Sequence, residues 1–181
     1  YYVSQTQSCG ESPRTAIVVN VNAVPGAPAI TSPVTYCQNA TAVPLTATGS
    51  NLLWYTAATG GTGSATAPTP STAAAGSTSY YVSQTTTGCE SPRALITVNV
   101  TAIPAAPVVT SPVTYCQNAT ATALTATGTS LLWYTTATGG LGTPIAPVPV
   151  TTTVGSTKWY VSQTVGGCES ARDSITVVID P

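Results

Sequence analysis

Wherever the chain runs long enough between turns to show a period, apolar and polar residues alternate. Between Ala94 and Val100, the apolar Ile96, Val98 and Val100 interleave with Thr97 and Asn99, and Ile175, Val177 and Ile179 repeat the arrangement. A period of two marks a strand with one buried face. Shorter β-rich runs stand at Val43–Thr48, Leu52–Thr56 and Tyr80–Gln84. Between them lie Thr48-Gly49-Ser50-Asn51, Thr59-Gly60-Gly61 and Ala75-Gly76-Ser77, whose residues favour turns. No window carries the 3.6-residue period of a helix. Many short strands punctuated by turns predict an all-β fold, an Ig-like antiparallel β-sandwich of about seven strands per unit.

The pattern repeats itself. Thr31–Thr41 recurs unchanged as Thr110–Thr120, Leu45–Gly49 as Leu124–Gly128, and Leu52–Thr56 as Leu131–Thr135, each 79 residues on. Tyr80–Gln84 matches Trp159–Gln163 and also Tyr1–Gln5. A fixed period of this kind is the signature of a tandem array. The chain therefore divides into residues 24–102 and 103–181, two whole repeats, preceded by residues 1–23, which read as the C-terminal strands of a truncated third. The joints, Val24-Pro25-Gly26-Ala27-Pro28 and Ile103-Pro104-Ala105-Ala106-Pro107, carry two prolines each. Proline fixes φ and biases its neighbour to extended geometry, so short, semi-rigid connections are expected. The start in mid-pattern at Tyr1 suggests a window on a longer array, with any export signal outside it.

Charge changes the picture by its scarcity. Only 5% of residues are charged and the net charge is −1. Such a surface cannot neutralise a phosphate backbone or hold an anionic membrane, which argues against nucleic acid as a partner. No uninterrupted apolar run reaches the roughly 18 residues of a membrane span, so direct membrane insertion is not expected. Thr, Ser, Asn and Gln supply the polar surface instead.

The five cysteines follow the period. Cys37 and Cys89 stand 52 residues apart, as do Cys116 and Cys168, which predicts one disulfide within each whole repeat and leaves Cys9 unpaired. Loops of that size are worth roughly 4 kcal/mol each in the chain-entropy account, and they imply an oxidising, extracellular setting. One irregularity is the order Cys9-Gly10, where the whole repeats read Gly88-Cys89 and Gly167-Cys168.

Leu52-Leu-Trp-Tyr55, Ala58-Thr-Gly-Gly61, Ser79-Tyr-Tyr-Val-Ser-Gln84 and Gly88-Cys-Glu-Ser-Pro-Arg93, taken together, resemble the CHU_C-associated Ig-like domain of Bacteroidetes. The resemblance runs the length of the chain. It implies an array within a very large secreted or surface protein, exported by the type IX system and serving adhesion, gliding or filament building. It brings no catalytic residues with it.

Among candidate sites, Trp54 and Trp133 fall where an Ig-like sandwich keeps its core tryptophan. If they point inward, alternation turns Leu53, Tyr55 and, from a neighbouring strand, Tyr81 outward. Leu132, Tyr134 and Tyr160 would repeat that patch, and exposed aromatics of this kind stack on sugars or meet other proteins. Glu90 and Arg93, with Glu11–Arg14 and Glu169–Arg172, hold most of the charge and read as local ion pairs or caps of the hairpin, with a contact to the next repeat as the alternative. They lack the convergent, tuned groups that acid–base catalysis needs. No catalytic site, metal site or cofactor is expected: the chain has no histidine, and calcium needs more carboxylates than the linkers offer. Asp173-Ser174-Ile175 resembles an O-glycosylation sequon, which makes Ser174 a candidate acceptor, and Asn39, Asn99 and Asn118 fit Asn-X-Thr.

Together these readings describe a structural array, the stalk or filament of a secreted or cell-surface bacterial adhesin. Its first partners are the neighbouring repeats of the same chain, with glycans or other surface proteins beyond them. Two alternatives stand beside it: a carbohydrate-binding module of a secreted polysaccharide-degrading protein, and a subunit of a self-assembling extracellular filament.

Overall fold

The computed structural model describes residues 1–181 as strands, turns and irregular segments, with no helix. The chain divides into two compact units that cut across the repeats. One comprises Tyr1–Ser32, Pro44–Pro68 and Ser79–Ile96, and the other Pro33–Val43, Thr69–Thr78 and Thr97–Pro181.

The second repeat lies within the second unit and has seven strands. Gly155–Val165, the longest, pairs antiparallel with Leu131–Tyr134 on one side and Asp173–Asp180 on the other. It also folds back at its end onto Cys168–Glu169. Leu131-Leu-Trp-Tyr134 and the alternating Ile175, Val177 and Ile179 are the β-branched and aromatic runs that fit a pleated, half-buried surface. The facing layer is thin. Val108–Val109 pairs with Ala126–Thr127, and irregular chain completes it through Leu124 N–H to the Pro147 carbonyl (2.9 Å) and Asn118 N–H to the Thr151 carbonyl (2.9 Å). Between the layers, Leu124, Trp133, Val161, Ile175, Val177 and Ile179 form one buried cluster, with Val109, Ala126 and Ala146 packed against it. The first repeat has the same strand order, with Trp54, Val82, Ile96 and Val98 in the corresponding buried positions.

The ladder is not wholly antiparallel. The leading strand Val113–Cys116 runs parallel to the closing strand Asp173–Asp180, with Val113 opposite Val177 and Cys116 opposite Asp180. Val34–Cys37 repeats this against Ala94–Thr101, with Cys37 opposite Thr101. Period-two alternation is the same in parallel and antiparallel strands, so the sequence pattern does not distinguish them.

This parallel register corrects the expected disulfides. Cys116 comes level with Asp180, at the far end of the closing strand, whereas Cys168 lies in the hairpin before Asp173. Eight residues of strand separate the two ends by roughly 23 Å at about 3.3 Å per residue, and a disulfide needs Cα atoms about 4.4–6.8 Å apart. Neither Cys116–Cys168 nor its counterpart Cys37–Cys89 forms. Cys37 bonds Cys168 instead, with Cα atoms 5.6 Å apart, both within the second unit. Cys9, Cys89 and Cys116 are free thiols.

In residues 1–23, Tyr2–Val3 pairs with Thr15–Ala16, and Thr6–Gln7 with Gly10–Glu11. Val3, Ile17, Val19 and Val21 are exposed here, yet their counterparts Val82, Ile96, Val98 and Val100 are buried. The side chains are the same; what buries them in a whole repeat is the remainder of the sandwich.

Truncating Ile175, which is 1% exposed, should destabilise the second repeat by about 2–5 kcal/mol. The exposed Thr153→Ser should stay within about 0.5 kcal/mol, with urea unfolding midpoints as the measurement.

Candidate functional site

Each whole repeat builds the same polar cluster on the outer side of its main sheet. The tight turn at Thr87-Gly88, just before Cys89–Glu90, brings the Glu90 carboxylate over Tyr55 and Ser83, which lie on neighbouring strands. The Tyr55 hydroxyl donates to Glu90 Oε1 at 2.5 Å, and Ser83 Oγ donates to the same oxygen at 2.6 Å. In the second repeat Tyr134 and Ser162 donate to Glu169 Oε1, both at 2.5 Å. Three residues further on, the Arg93 guanidinium lies flat on the Tyr55 ring, 3.3 Å from its centroid, and Arg172 lies on Tyr134 at 3.2 Å. Each arginine also donates from Nη1 at 2.7 Å to a main-chain carbonyl, of Ala57 or of Thr136. Cation–π contact and charge-assisted hydrogen bonds thus meet on one tyrosine.

A glycine makes room for that ring from its other side. A Cβ at Gly63 would come within 2.7 Å of Tyr55 Cζ, and one at Gly142 within 2.6 Å of Tyr134 Cζ. The loop can lie that close because its next residue is hydrogen-bonded to the strand: Ser64 and Trp54, like Thr143 and Trp133, exchange two main-chain bonds. Beside the cluster, Gln84 holds the joint. Its Nε2 donates to the Gly26 carbonyl at 2.7 Å while its Oε1 accepts from Ser50 N–H at 3.0 Å. Gln163 does the same between Ala105 and Thr129. No buried side-chain polar atom is left without a partner.

Glu90 and Glu169 are held below the ordinary glutamate range. The serine hydrogen bond contributes most and the tyrosine bond next; partial desolvation opposes them, and the arginine charge adds to them. A carboxylate oxygen that already accepts two hydrogen bonds and has a weakened hold on protons fastens a turn; it is poorly suited to moving protons. No three His, Cys, Asp or Glu side chains converge as metal ligands.

These positions correct two expectations. Tyr55 and Tyr134 do not face solvent: they are 8% and 6% exposed, covered by the arginine and the glycine loop. Alternation holds, with Trp54 in the core and Tyr55 on the opposite face, but that opposite face is roofed by the turn and closed to solvent. Leu53, Tyr81, Leu132 and Tyr160 are half-buried, so no exposed aromatic strip exists. Nor do Glu90–Arg93 and Glu169–Arg172 form ion pairs; the arginine goes to the tyrosine face and a carbonyl. In residues 1–23, which do not include the strand corresponding to Leu53–Tyr55, Ser4 still donates to Glu11, and Arg14 contacts Glu11 directly at 3.4 Å. Ser174 is half-buried in the closing strand, opposite Tyr160. The signal missed in the sequence was the recurrence of Tyr, Ser, Glu and Arg in fixed order in a chain with almost no other charge.

Because the folded carboxylates titrate below the ordinary value of 4.5, their stabilisation is complete above that pH and lost as pH falls through the lowered values. Urea midpoints should therefore drop as the pH falls below the ordinary glutamate value of 4.5, and a Glu90→Gln, Glu169→Gln variant should start lower and vary less. Tyr134→Phe should cost about 1.5–3 kcal/mol and move the Glu169 carboxyl titration, followed by NMR, back toward 4.5.

The chain matches the family described as "Ig-like domain CHU_C associated" twice, over residues 25–101 and 104–181. No curated protein matches it in sequence. Among solved structures, it is similar to the extracellular domain of protocadherin gammaB4, at 12% identity and TM-score 0.31, covering 86% of this chain and 34% of that one. Mouse clustered PcdhgC3 EC1-3 gives 11% and 0.27, covering 86% and 68%. An endo-fucoidan hydrolase of glycoside hydrolase family 107, MfFcnA4_H294Q, gives 11% and 0.27, covering 98% and 33%. The chain thus spans about a third of the protocadherin gammaB4 and hydrolase chains, and likenesses this slight carry no weight for its function. The two family matches together take in every residue from 25 onward except 102 and 103, and the chain belongs to the CHU_C-associated Ig-like domain family, as a tandem pair of its repeats.

Proposed function

We propose that these repeats are load-bearing spacers in the stalk or filament of a large secreted or cell-surface bacterial adhesin, used in attachment or gliding. The observation that carries the reading is the parallel pairing of leading and closing strands in each repeat. When a chain whose Cys37–Cys168 bond is open is pulled by its ends, such strands slide past each other lengthwise, and every hydrogen bond between them is loaded at once. An antiparallel terminal hairpin would instead open one bond at a time. The buried tyrosines point the same way, since rings packed under arginine and a glycine loop offer no stacking surface to a sugar.

Single-molecule pulling on the chain by its two ends, with the disulfide reduced so that load passes through the sandwiches, tests this. Two unfolding events of similar, high force are expected, and Thr114→Pro, which breaks the parallel ladder of the second repeat, should lower one of them. If the proline leaves both forces unchanged, the terminal strands bear no load and the spacer reading fails. A glycan-array screen of the same protein should be blank; specific binding would support the carbohydrate-binding alternative.

A further inference from the structure

Cys37 and Cys168 belong to successive repeats, as the first cysteine of one and the second cysteine of the next. Their separation of 131 residues is one repeat period longer than the spacing of cysteines within a repeat. In the second unit the bond sits where the closing strand Ala94–Thr101 ends. Thr101 is paired with Cys37, Gln38 N–H donates to the Thr101 carbonyl at 2.8 Å, and Gly166, in the Cys168 hairpin, lies against Thr101.

The first unit contains the other side of the same arrangement. Asn22 is the counterpart of Thr101, one period earlier. Its side chain donates to the Thr87 carbonyl at 3.0 Å, and Cys89 Sγ lies 3.9 Å from its main-chain oxygen. Thr87 is in turn the counterpart of Gly166. The hairpin bearing the free Cys89 is thus seated against the end of a preceding closing strand, as the Cys168 hairpin is seated against Thr101. What Cys89 lacks is a leading strand beside Asn22. Cys116 presents the opposite half: it is exposed, paired with Asp180, and Gln117 N–H donates to the Asp180 carbonyl at 2.7 Å, just as Gln38 does at Thr101.

We infer that disulfides in this array join repeats rather than close them, the first cysteine of each repeat bonding the second cysteine of the next. Cys116 is the site for the second cysteine of a repeat following residue 181, and Cys89 the site for the first cysteine of a repeat preceding its own. The covalent partner is another repeat of this same family. Each bond forms when two thiols give up two protons and two electrons to a disulfide oxidant, such as glutathione disulfide, which leaves as two molecules of glutathione.

The test compares the chain with one extended after Pro181 by a second copy of residues 103–181, both equilibrated in a glutathione redox buffer. Free thiols are then counted by alkylation and mass spectrometry, and linked peptides are sequenced without reduction. The present chain should hold one disulfide and three free thiols, Cys9, Cys89 and Cys116. The extended chain should hold two disulfides and again three free thiols, with a new peptide joining Cys116 to the second cysteine of the added repeat. Pairs within repeats, Cys37–Cys89 and Cys116–Cys168, would leave Cys9 as the sole free thiol in both chains and overturn the inference. So would an extended chain in which Cys37–Cys168 forms but Cys116 stays free. Size-exclusion chromatography of each oxidised sample separates bonds within one molecule from bonds between molecules, and bonding only between molecules would also overturn it.

Discussion

The packing of one tryptophan against three β-branched residues holds each repeat together. Trp133 lies across the sheet from Val161, and Ile175 and Val177 complete the buried surface. With no phenylalanine or methionine in the chain, few large side chains are available to replace it. Everything else is arranged around that contact. The facing layer contributes Leu124 and a two-residue strand pair, little more than a cover, and hydrogen bonds between irregular segments do what a broader second sheet would do elsewhere. The main sheet therefore carries the fold, and its outer face has to be protected by other means.

The polar cluster of Tyr, Ser, Glu and Arg supplies that protection. The exposed Glu90 carboxylate accepts from two hydroxyls, while the arginine lies on the ring that supplies one of them, so that turn, strand and ring are tied together. In the whole repeats the arginine is held by the tyrosine ring and a main-chain carbonyl, whereas in residues 1–23, which include neither partner, Arg14 makes an exposed ion pair with Glu11, of the sort that contributes little.

The sequence made the β character, the repeat period and the core tryptophans legible, because alternation and self-similarity report directly on which faces are buried. It did not reveal the direction of the leading strand. Residues Val113–Cys116 alternate identically whichever way they run, and that one unreadable property decides which cysteines can meet. Alternation also put Tyr55 on the right face without showing what covers it. It reports only that a side chain leaves the core face; whether the opposite face is open to water depends on the turn at Glu90, 35 residues away, and on a glycine loop thin enough to lie against the ring.

The Cys37–Cys168 bond also sets how far the chain can extend once its sandwiches have come apart. The residues between the two sulfurs are bypassed by the covalent link, so they stay slack while tension runs through the bridge. A separation of 131 residues corresponds to roughly 430–470 Å of contour at about 3.3–3.6 Å per residue. That length stays in reserve until a reductant cuts the bridge, so the reach of the unfolded chain depends on the redox state of its surroundings as well as on the force applied to it.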